Sequence, residues 1–490
     1  MPFKKILIAN RSEIARRVIR SAHECGYHTI AIASPHDSNA LYVREAGEFH
    51  SLRGNTPSES YLDIAQVLSI AKEAKTDAVH PGYGFLSENA HFSDECAKAG
   101  IKFIGPTPEG IELLGDKTKA RTLAKKLGVP TPGGTTEALH DEAEAILNAK
   151  KIGYPVMLKA AAGGGGKGMR IVESESGISE GLKRAKSEAL SSFGDDRVYI
   201  EKYITSPRHI EFQILADSHG NAVHLGEREC SIQRRNQKLI EESPSVALSE
   251  AMRKEMGDAA ISLIKEAKYE GAGTVEFLLD EAGKYYFLEV NTRLQVEHPV
   301  TEFVTGMDLV REQFRIAEGE KLGWKQKDIV SRGHSIEARI QAEDVWNDFL
   351  PSLGKISYVR HPGGAFVRND SALFAGLEVS GFYDSLLGKL IVWDLDRSQA
   401  ISRMKRTLEE MRIVGVSTTI PFAHFVMENK TFQEGVFSTK FVGDEFTSDI
   451  RDALHQKYID QSTNAFLAVR AYLDKKRERR LFVTREEEIN

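Results

Sequence analysis

The chain has 490 residues, 41% hydrophobic and 28% charged, with a formal net charge of −6. That is enough for about three ordinary globular domains. The mild acidity argues against nucleic-acid or membrane-surface binding, and no apolar run approaches the ~20 residues of a membrane span. Cys25, Cys96 and Cys230 are widely spaced and form no CxxC pair, which excludes a disulfide framework or zinc site and fits a reducing, cytoplasmic compartment.

The N-terminus, MPFKKILIANRSEIARR, has too short an apolar core for a secretory signal. Lys5 to Ala9 reads as a buried strand. Asn10 with Glu13 reads as a capping box that opens a helix ending near Gly26, and Thr29 to Ala33 is the next strand. This βαβ pattern predicts a doubly wound, Rossmann-like parallel sheet over residues 1–114. Ala9-Asn10-Arg11-Ser12 stands where dinucleotide-binding glycines would be. Ala78 to Phe85, apolar and then rich in Pro and Gly, reads as a strand-end loop lining a ligand crevice. A second domain is expected over 115–330, with a lid at 131–204 hinged at Pro130, Pro132, Gly133 and Gly134. A third is expected over 331–447, beginning with the strand-like Ser335 to Ile340. Residues 448–490 read as a charged helical tail, a solvated face or a docking element for a partner chain.

Within the lid, Val156 to Lys159 and Met169 to Val172 read as strands around Ala160-Ala161-Ala162-Gly163-Gly164-Gly165-Gly166-Lys167-Gly168. No helix follows the glycines, so a dinucleotide fold does not apply. Lys167 precedes Gly168 rather than Ser or Thr, so the P-loop pattern fails as well. Strand, glycine loop, strand suits a flap over nucleotide phosphates, with backbone N–H groups approaching closely and Lys159 adding charge.

Gly273 to Leu279 and Tyr285 to Asn291 read as strands joined by the turn Asp280 to Lys284. A hairpin centred on Ala282-Gly283 sets Glu276 opposite Glu289, with Cβ atoms roughly 5 Å apart. Facing carboxylates repel unless a cation lies between them. A magnesium or manganese ion held by Glu276, Glu289 and the amide oxygen of Asn291 answers this. An exposed hairpin with solvated Glu side chains is the alternative.

With these segments in view the chain resembles biotin carboxylase, the ATP-grasp component of biotin-dependent carboxylases, over about residues 2 to 447. The motifs are KILIANRSEIA, HPGYGFLSEN, KAAAGGGGKGM, EKYI with PRHIEFQ, RECSIQRRNQK, EVNTRLQVEHPVTE and the Arg339 segment. The resemblance implies an α/β fold, α+β in parts: a Rossmann-like sheet, an ATP-grasp domain with mobile lid, and a biotin carboxylase C-terminal domain. It implies that Lys117 and Lys159 neutralise ATP phosphates under Gly164, Gly165 and Gly166. Glu201, Lys202 and the Ile204 backbone would read adenine, Met169 and Leu278 would sandwich it, and His209 and Gln233 would contact ribose or phosphate. Arg293, Lys238, Gln295 and Val296 would hold bicarbonate. Glu297, made acidic by Arg293, would be the general base. Arg339 would stabilise the oxyanion of biotin, and Tyr83 would line the biotin pocket.

Where the family commonly reads RRHQK, this chain has Arg234-Arg235-Asn236-Gln237-Lys238, so the nucleotide contact at Asn236 lacks a cationic option. No Ala-Met-Lys-Met biotin attachment site occurs. Biotin is therefore expected as a substrate carried by a biotin carboxyl carrier protein, with the carboxyltransferase also on another chain and this chain a homodimer. The leading expectation is a component of an acetyl-CoA or other acyl-CoA carboxylase. The alternative is the biotin carboxylase component of a multi-chain pyruvate carboxylase, toward which Asn236 and the charged tail incline. A different bicarbonate-activating ATP-grasp ligase and a non-catalytic nucleotide-binding module are the competing classes.

Overall fold

A computed structural model describes residues 2–135, 137–161 and 168–487. Strands β1 (Lys5–Ile8), β2 (His28–Ala33), β3 (Glu48–Ser51), β4 (Ala78–His80) and β5 (Lys102–Phe103) form a parallel sheet in the order β3-β2-β1-β4-β5. This is the expected doubly wound arrangement. Both faces are covered, so Ile6, Leu7 and Ile8 are all fully buried.

The helix after β1, α1 (Ser12–Glu24), has no capping box. Asn10 Nδ2 instead donates to the carbonyls of Pro81 (2.7 Å) and Tyr83 (2.8 Å), fastening the crevice loop. Glu13 is buried, and neither of its carboxylate oxygens has a hydrogen-bond partner. The sequence pattern matches a cap, but the helix starts one residue later, with Arg11 at its N-cap, and Asn10 Oδ1 accepts from Arg11 N (2.8 Å).

The lid has its own small core. Strands β6 (Val156–Ala160), β7 (Met169–Val172) and β8 (Val198–Lys202) form an antiparallel sheet in the order β7-β6-β8. Val156, Leu158, Val172, Leu182, Val198 and Ile200 pack within it. Ala160 N donates to Gly168 O (3.0 Å), closing the base of the glycine loop. Gly164, Gly165 and Gly166 lie outside the described residues.

The largest sheet carries the site. It comprises β9 (Arg208–Ala216), β10 (Ala222–Arg234), β11 (Gln237–Ser243), β12 (Gly271–Leu279), β13 (Tyr285–Asn291), β14 (His334–Gln341), β15 (Val367–Ser371) and β16 (Leu386–Asp394). Their order is β13-β12-β9-β10-β11-β14-β16-β15. The sheet is continuous across residue 331, because β11 pairs with β14 from Ile240↔Ala338 to Ser243↔Ser335. One face is apolar: Phe212, Val275, Phe277 and Phe287 are at most 1% exposed. Burial of each such side chain stabilises by about 1.5–3 kcal/mol. The other face is charged.

The hairpin β12–β13 places Glu276 opposite Glu289 by a route the sequence does not announce. From Leu279↔Tyr285 to Phe277↔Phe287 the register is continuous, and simple extension would put Leu288 opposite Glu276. A bulge at Leu288 shifts the register by one residue and brings Glu289 there instead. Leu288 and Glu289 then both line the same cavity.

Helix α4 spans Ser448–Glu487, after α2 (Lys117–Lys126) and α3 (His298–Thr305) earlier in the sequence. Among the described residues, no helix is long and apolar enough to cross a membrane.

Candidate active site

Cross-strand register lines up a row of polar residues over the charged face of the sheet. Glu276 pairs with Glu211, Leu278 with His209, Arg228 with Glu211, and Gln233 with Lys238. On the far side Glu241 pairs with Glu337, and Arg339 with Lys389. Period-two alternation explains the row: His209, Glu211 and Gln213 point to one side of β9, and Ile210, Phe212 and Ile214 to the other. The row faces a cavity of about 880 Å³ between the large sheet, the lid and the N-terminal sheet.

At one end of the cavity lie the candidate phosphate and metal groups. Lys117 Nζ is 2.8 Å from Glu289 Oε2, and Lys159 Nζ is 3.0 Å from Glu201 Oε1. Lys117 is presented by the first turn of α2, after its capping residue Asp116. Burial pushes both metal-site carboxyls up, but the surrounding cations outweigh it. Lys238 and His209 hold Glu276 at about 2, and Lys117 and Lys159 hold Glu289 at about 2. Both are ionised at neutral pH, and this hard, anionic oxygen pair suits magnesium. Asn291, the third expected ligand, lies beside the pair. Its Nδ2 donates to Glu276 Oε1 (2.8 Å) and its Oδ1 accepts from Arg293 (3.1 Å), so its amide must turn over to offer oxygen to a metal.

Glu201 and Lys202, expected to read adenine, are engaged by other groups of the protein. The Glu201 carboxylate is engaged by Lys159 and, at 2.8 Å, by Arg121. Lys202 Nζ donates to the carbonyls of Gly153 (2.9 Å) and Tyr154 (3.0 Å), and its amide donates to Gly133 O (2.6 Å). The side chain of Lys202 is thus a lid brace. Met169, Ile204 and Leu278 line the cavity, as do Met157, Ile171 and Tyr203, which the sequence did not single out. His209 Nε2 sits 2.8 Å from Glu276 Oε2. Burial disfavours its charge, but Glu276 wins and its pKa is raised. Gln233 and Asn236 line the cavity as well. Asn236 and Arg235 form the two-residue turn between β10 and β11, at φ 65° and 50°. Both central residues of such a turn need positive φ, which Asn tolerates and most side chains do not.

At the other end Lys238 is the hub. Its Nζ lies 2.5 Å from Glu211, 3.0 Å from Glu276 and 2.7 Å from Glu297. Burial opposes its charge, but three carboxylates raise its pKa well above normal. Glu297 is fully buried at the start of α3, and Arg339 Nη2 holds its second oxygen at 2.8 Å. Burial pushes Glu297 up; Lys238 and Arg339 more than reverse it. The expected partner was Arg293. That guanidinium is turned instead to Glu88 (2.7 Å), Gln295 Oε1 (2.9 Å) and Asn291. Val296 O accepts from Lys389 Nζ.

Three residues absent from the sequence reading complete this end. Glu211 anchors Lys238 and accepts from Arg228 (2.6 Å). Glu88, on the crevice loop, holds Arg293. Glu241 accepts from Arg339 Nε at 2.6 Å. Burial raises Glu241 to about 7 despite Arg339, and burial also raises Glu337 opposite it well above the usual carboxylate range. Glu211 falls in the PRHIEFQ motif and Glu88 in HPGYGFLSEN, so alternation and loop position were available signals. Cys230 Sγ is 3.9 Å from Glu297 Oε1, and burial raises its thiol well above normal, so it is inert. Tyr83 lines the cavity on the side of the N-terminal sheet.

Comparison with known proteins matches three family models in succession: biotin carboxylase N-terminal domain over residues 2–111, carbamoyl-phosphate synthase L chain ATP-binding domain over 116–325, and biotin carboxylase C-terminal domain over 337–444. A biotin carboxylase from Nostoc sp. is 54% identical over 442 residues, 90% of this chain and 99% of that protein. A pyruvate carboxylase subunit from Methanothermobacter thermautotrophicus is 51% identical over 459 residues, 94% of this chain and 93% of that one. The biotin carboxylase domain dimer of Hydrogenobacter thermophilus 2-oxoglutarate carboxylase, solved with MgADP, ADP and bicarbonate, superposes with a TM-score of 0.89 at 48% identity, covering 91% of this chain and 98% of that one.

Proposed function

The chain belongs to the biotin carboxylase family, ATP-dependent ligases that use Mg²⁺ and carry biotin on a separate protein, and we propose that the row from Lys117 to Arg339 performs the half-reaction as follows. Lys117, Lys159 and His209 face the phosphates of ATP, with adenine between Met169 and Leu278. Glu276 and Glu289 would hold magnesium, which supplies charge neutralisation at the transferring phosphoryl group. Arg293, Lys238, Gln295 and the Val296 backbone hold bicarbonate. Glu297 takes its proton, and the resulting oxyanion attacks the γ-phosphorus. The bond to the bridging oxygen breaks, giving ADP and carboxyphosphate. Carboxyphosphate separates into carbon dioxide and phosphate, and phosphate takes the N1 proton of biotin. Arg339 stabilises the ureido oxyanion, and N1 attacks carbon dioxide.

A carboxylate paired as tightly as Glu297 is a weak base. Bicarbonate that draws Lys238 toward itself restores basicity when the substrate is in place. The observation that carries this reading is one cavity lined by Lys238, Arg339, Glu276 and Glu289, with Glu297 buried directly behind its wall and bridged by Lys238 and Arg339. The test is ADP formation from ATP, magnesium and bicarbonate, with and without free biotin. Biotin-stimulated, bicarbonate-dependent ADP release is expected; bicarbonate-independent release overturns it, and stimulation by ammonia alone points to a carbamoyl-type ligase.

The final acceptor is a 2-oxo acid such as pyruvate. The supporting observation is the 51% identity to the Methanothermobacter pyruvate carboxylase chain over 94% of this chain and 93% of that one. Purification of an acyl-CoA carboxyltransferase with the chain would overturn this. The protein works in a reducing compartment, cytoplasmic in kind, consistent with three free cysteines. It works as a homodimer, as the Hydrogenobacter domain is described; a light-scattering mass near the 54.5 kDa of one chain would contradict that.

A further inference from the structure

The helix that presents Glu297 begins without the usual cap. Glu297 is the N-cap residue of α3, and its side chain accepts nothing from the first turn. An N-cap side-chain oxygen ordinarily satisfies one of the orphan N–H groups there. Both oxygens of Glu297 are taken by Lys238 and Arg339 instead. The turn from Gln295 to His298 therefore depends on other fixings, and two are present. Gln295 O accepts from Nδ1 of the His298 ring (2.8 Å) and from the His298 backbone N–H (3.3 Å). Val296 O accepts from the ammonium of Lys389.

Lys389 is fully buried on β16. Its ammonium has three donors, yet among the described residues its one hydrogen bond goes to Val296 O. The carboxylate within ion-pair reach is Glu13 of α1, whose Oε2 lies 3.9 Å away. Neither Glu13 oxygen has a hydrogen-bond partner, so the pair is loose. Burying an ammonium is costly, and well-packed apolar side chains in place of a buried ion pair are often as stable or more so. The pairing with Glu13 does not account for the lysine; the peptide it holds does.

Register shows why that peptide matters. Lys389 is the cross-strand partner of Arg339 in the β14–β16 pair. Directly opposed residues point to the same side of a sheet, with Cβ atoms about 5 Å apart. From these neighbouring positions Arg339 reaches the Glu297 carboxylate and Lys389 reaches the carbonyl of Val296. That carbonyl belongs to the peptide group whose nitrogen is the Glu297 amide. One strand pair thus grips Glu297 at its side chain and at its backbone. Among the described residues that line the cavity are Val296 and Arg339 but not Lys389, so the lysine acts from behind the wall.

We propose that Lys389 is a positioning residue for the reaction: by anchoring the peptide between Val296 and Glu297 it fixes the direction of the Glu297 carboxylate. This rests on the reading of Glu297 as the general base. A base must lie within hydrogen-bond reach of the proton it takes, and a misplacement of about 1 Å costs about a hundredfold in rate. An uncapped turn permits such a displacement, and the lysine prevents it.

The test follows ADP release by the full chain with ATP, magnesium, bicarbonate and free biotin. Lys389→Met lowers kcat about tenfold or more, while KM for ATP stays within about twofold of the parent. In a Glu297→Ala background the same substitution costs less than about twofold further, because a residue that acts through the base has nothing left to position. A kcat for Lys389→Met within about twofold of the parent overturns the proposal. So does an equal loss in both backgrounds, or a rise in KM for ATP that matches the fall in kcat. Should Lys389→Met not fold, the Glu13→Gln, Lys389→Met pair removes both buried charges and carries the same expectations. Failure of the underlying reading looks different, because Glu297→Ala alone would then leave turnover unchanged.

Discussion

The two ends of the cavity handle charge differently. At the nucleotide end, cations and carboxylates are matched closely: Lys117 with Glu289, Lys159 with Glu201, His209 with Glu276. At the bicarbonate end, Lys238 serves three carboxylates and Arg339 serves two, while Glu337 is buried with both oxygens unpartnered. The matched end holds Glu276 and Glu289 at about 2, fully ionised under any physiological condition. The crowded end has surplus acid, and burial raises Glu241 to about 7 and Glu337 well above the usual carboxylate range. One end is a fixed electrostatic cradle for a polyanion. The other surrounds the lowered Glu297 with carboxyls that burial raises.

The contrast breaks most sharply at Glu297. Glu297→Ala should lower turnover roughly a hundredfold or more while nucleotide affinity changes little, measured by ADP release and by nucleotide titration. Equal losses in binding and turnover would mean that the two ends are not separable. Next in size is Lys238→Met. It leaves Glu211, Glu276 and Glu297 buried without their common cation, and removing one partner of a buried ion pair costs about 3–5 kcal/mol. Denaturant unfolding should show that loss at neutral pH and much of it recovered in mild acid, where the stranded carboxylates take up protons. Lys117→Met, at the matched end, strands only one carboxylate and should cost less.

The pH dependence sharpens the comparison further. Glu241 is a carboxyl raised in the folded state from 4.5 to about 7. Between these values the folded chain keeps a proton that the unfolded chain has lost, so this group makes stability fall as pH rises from about 4.5 to about 7, and it is silent above. Glu241→Gln should flatten that part of the stability–pH curve. It should also remove an ionisation near neutrality from kcat/KM for biotin, because Glu241 positions Arg339. Glu276→Gln should leave the curve unchanged there, because its ionisation lies near 2. The smallest effect belongs to Asn236→His. The left-handed turn position costs a bulkier side chain about 1 kcal/mol, visible as a slight drop in melting temperature without loss of bicarbonate-dependent activity.

Much of this protein is determined by local pattern. The βαβ start, the strand–glycine–strand flap and the hairpin carrying Glu276 and Glu289 follow from apolar periodicity and turn residues, which act over a few neighbours. The polar alternation His209, Glu211, Gln213 on an otherwise apolar strand was equally local, although Glu211 went unread. Asn236 looks like a lost cation in sequence and is explained by its turn, whose two residues both lie at positive φ. Tertiary structure decided the rest. The bulge at Leu288, and not the simple hairpin register, sets Glu289 opposite Glu276. The loop from β4 accepts from the Asn10 amide nitrogen, and Glu88 accepts from Arg293. Lys238 became a hub because residues 211, 276 and 297 meet there across strands distant in sequence. The physical reason is the same in each case. A side chain has a short list of partners in sequence but a crowded one in a buried sheet, and the unfavourable burial of each charge is offset only by whichever partner the fold brings within hydrogen-bond reach.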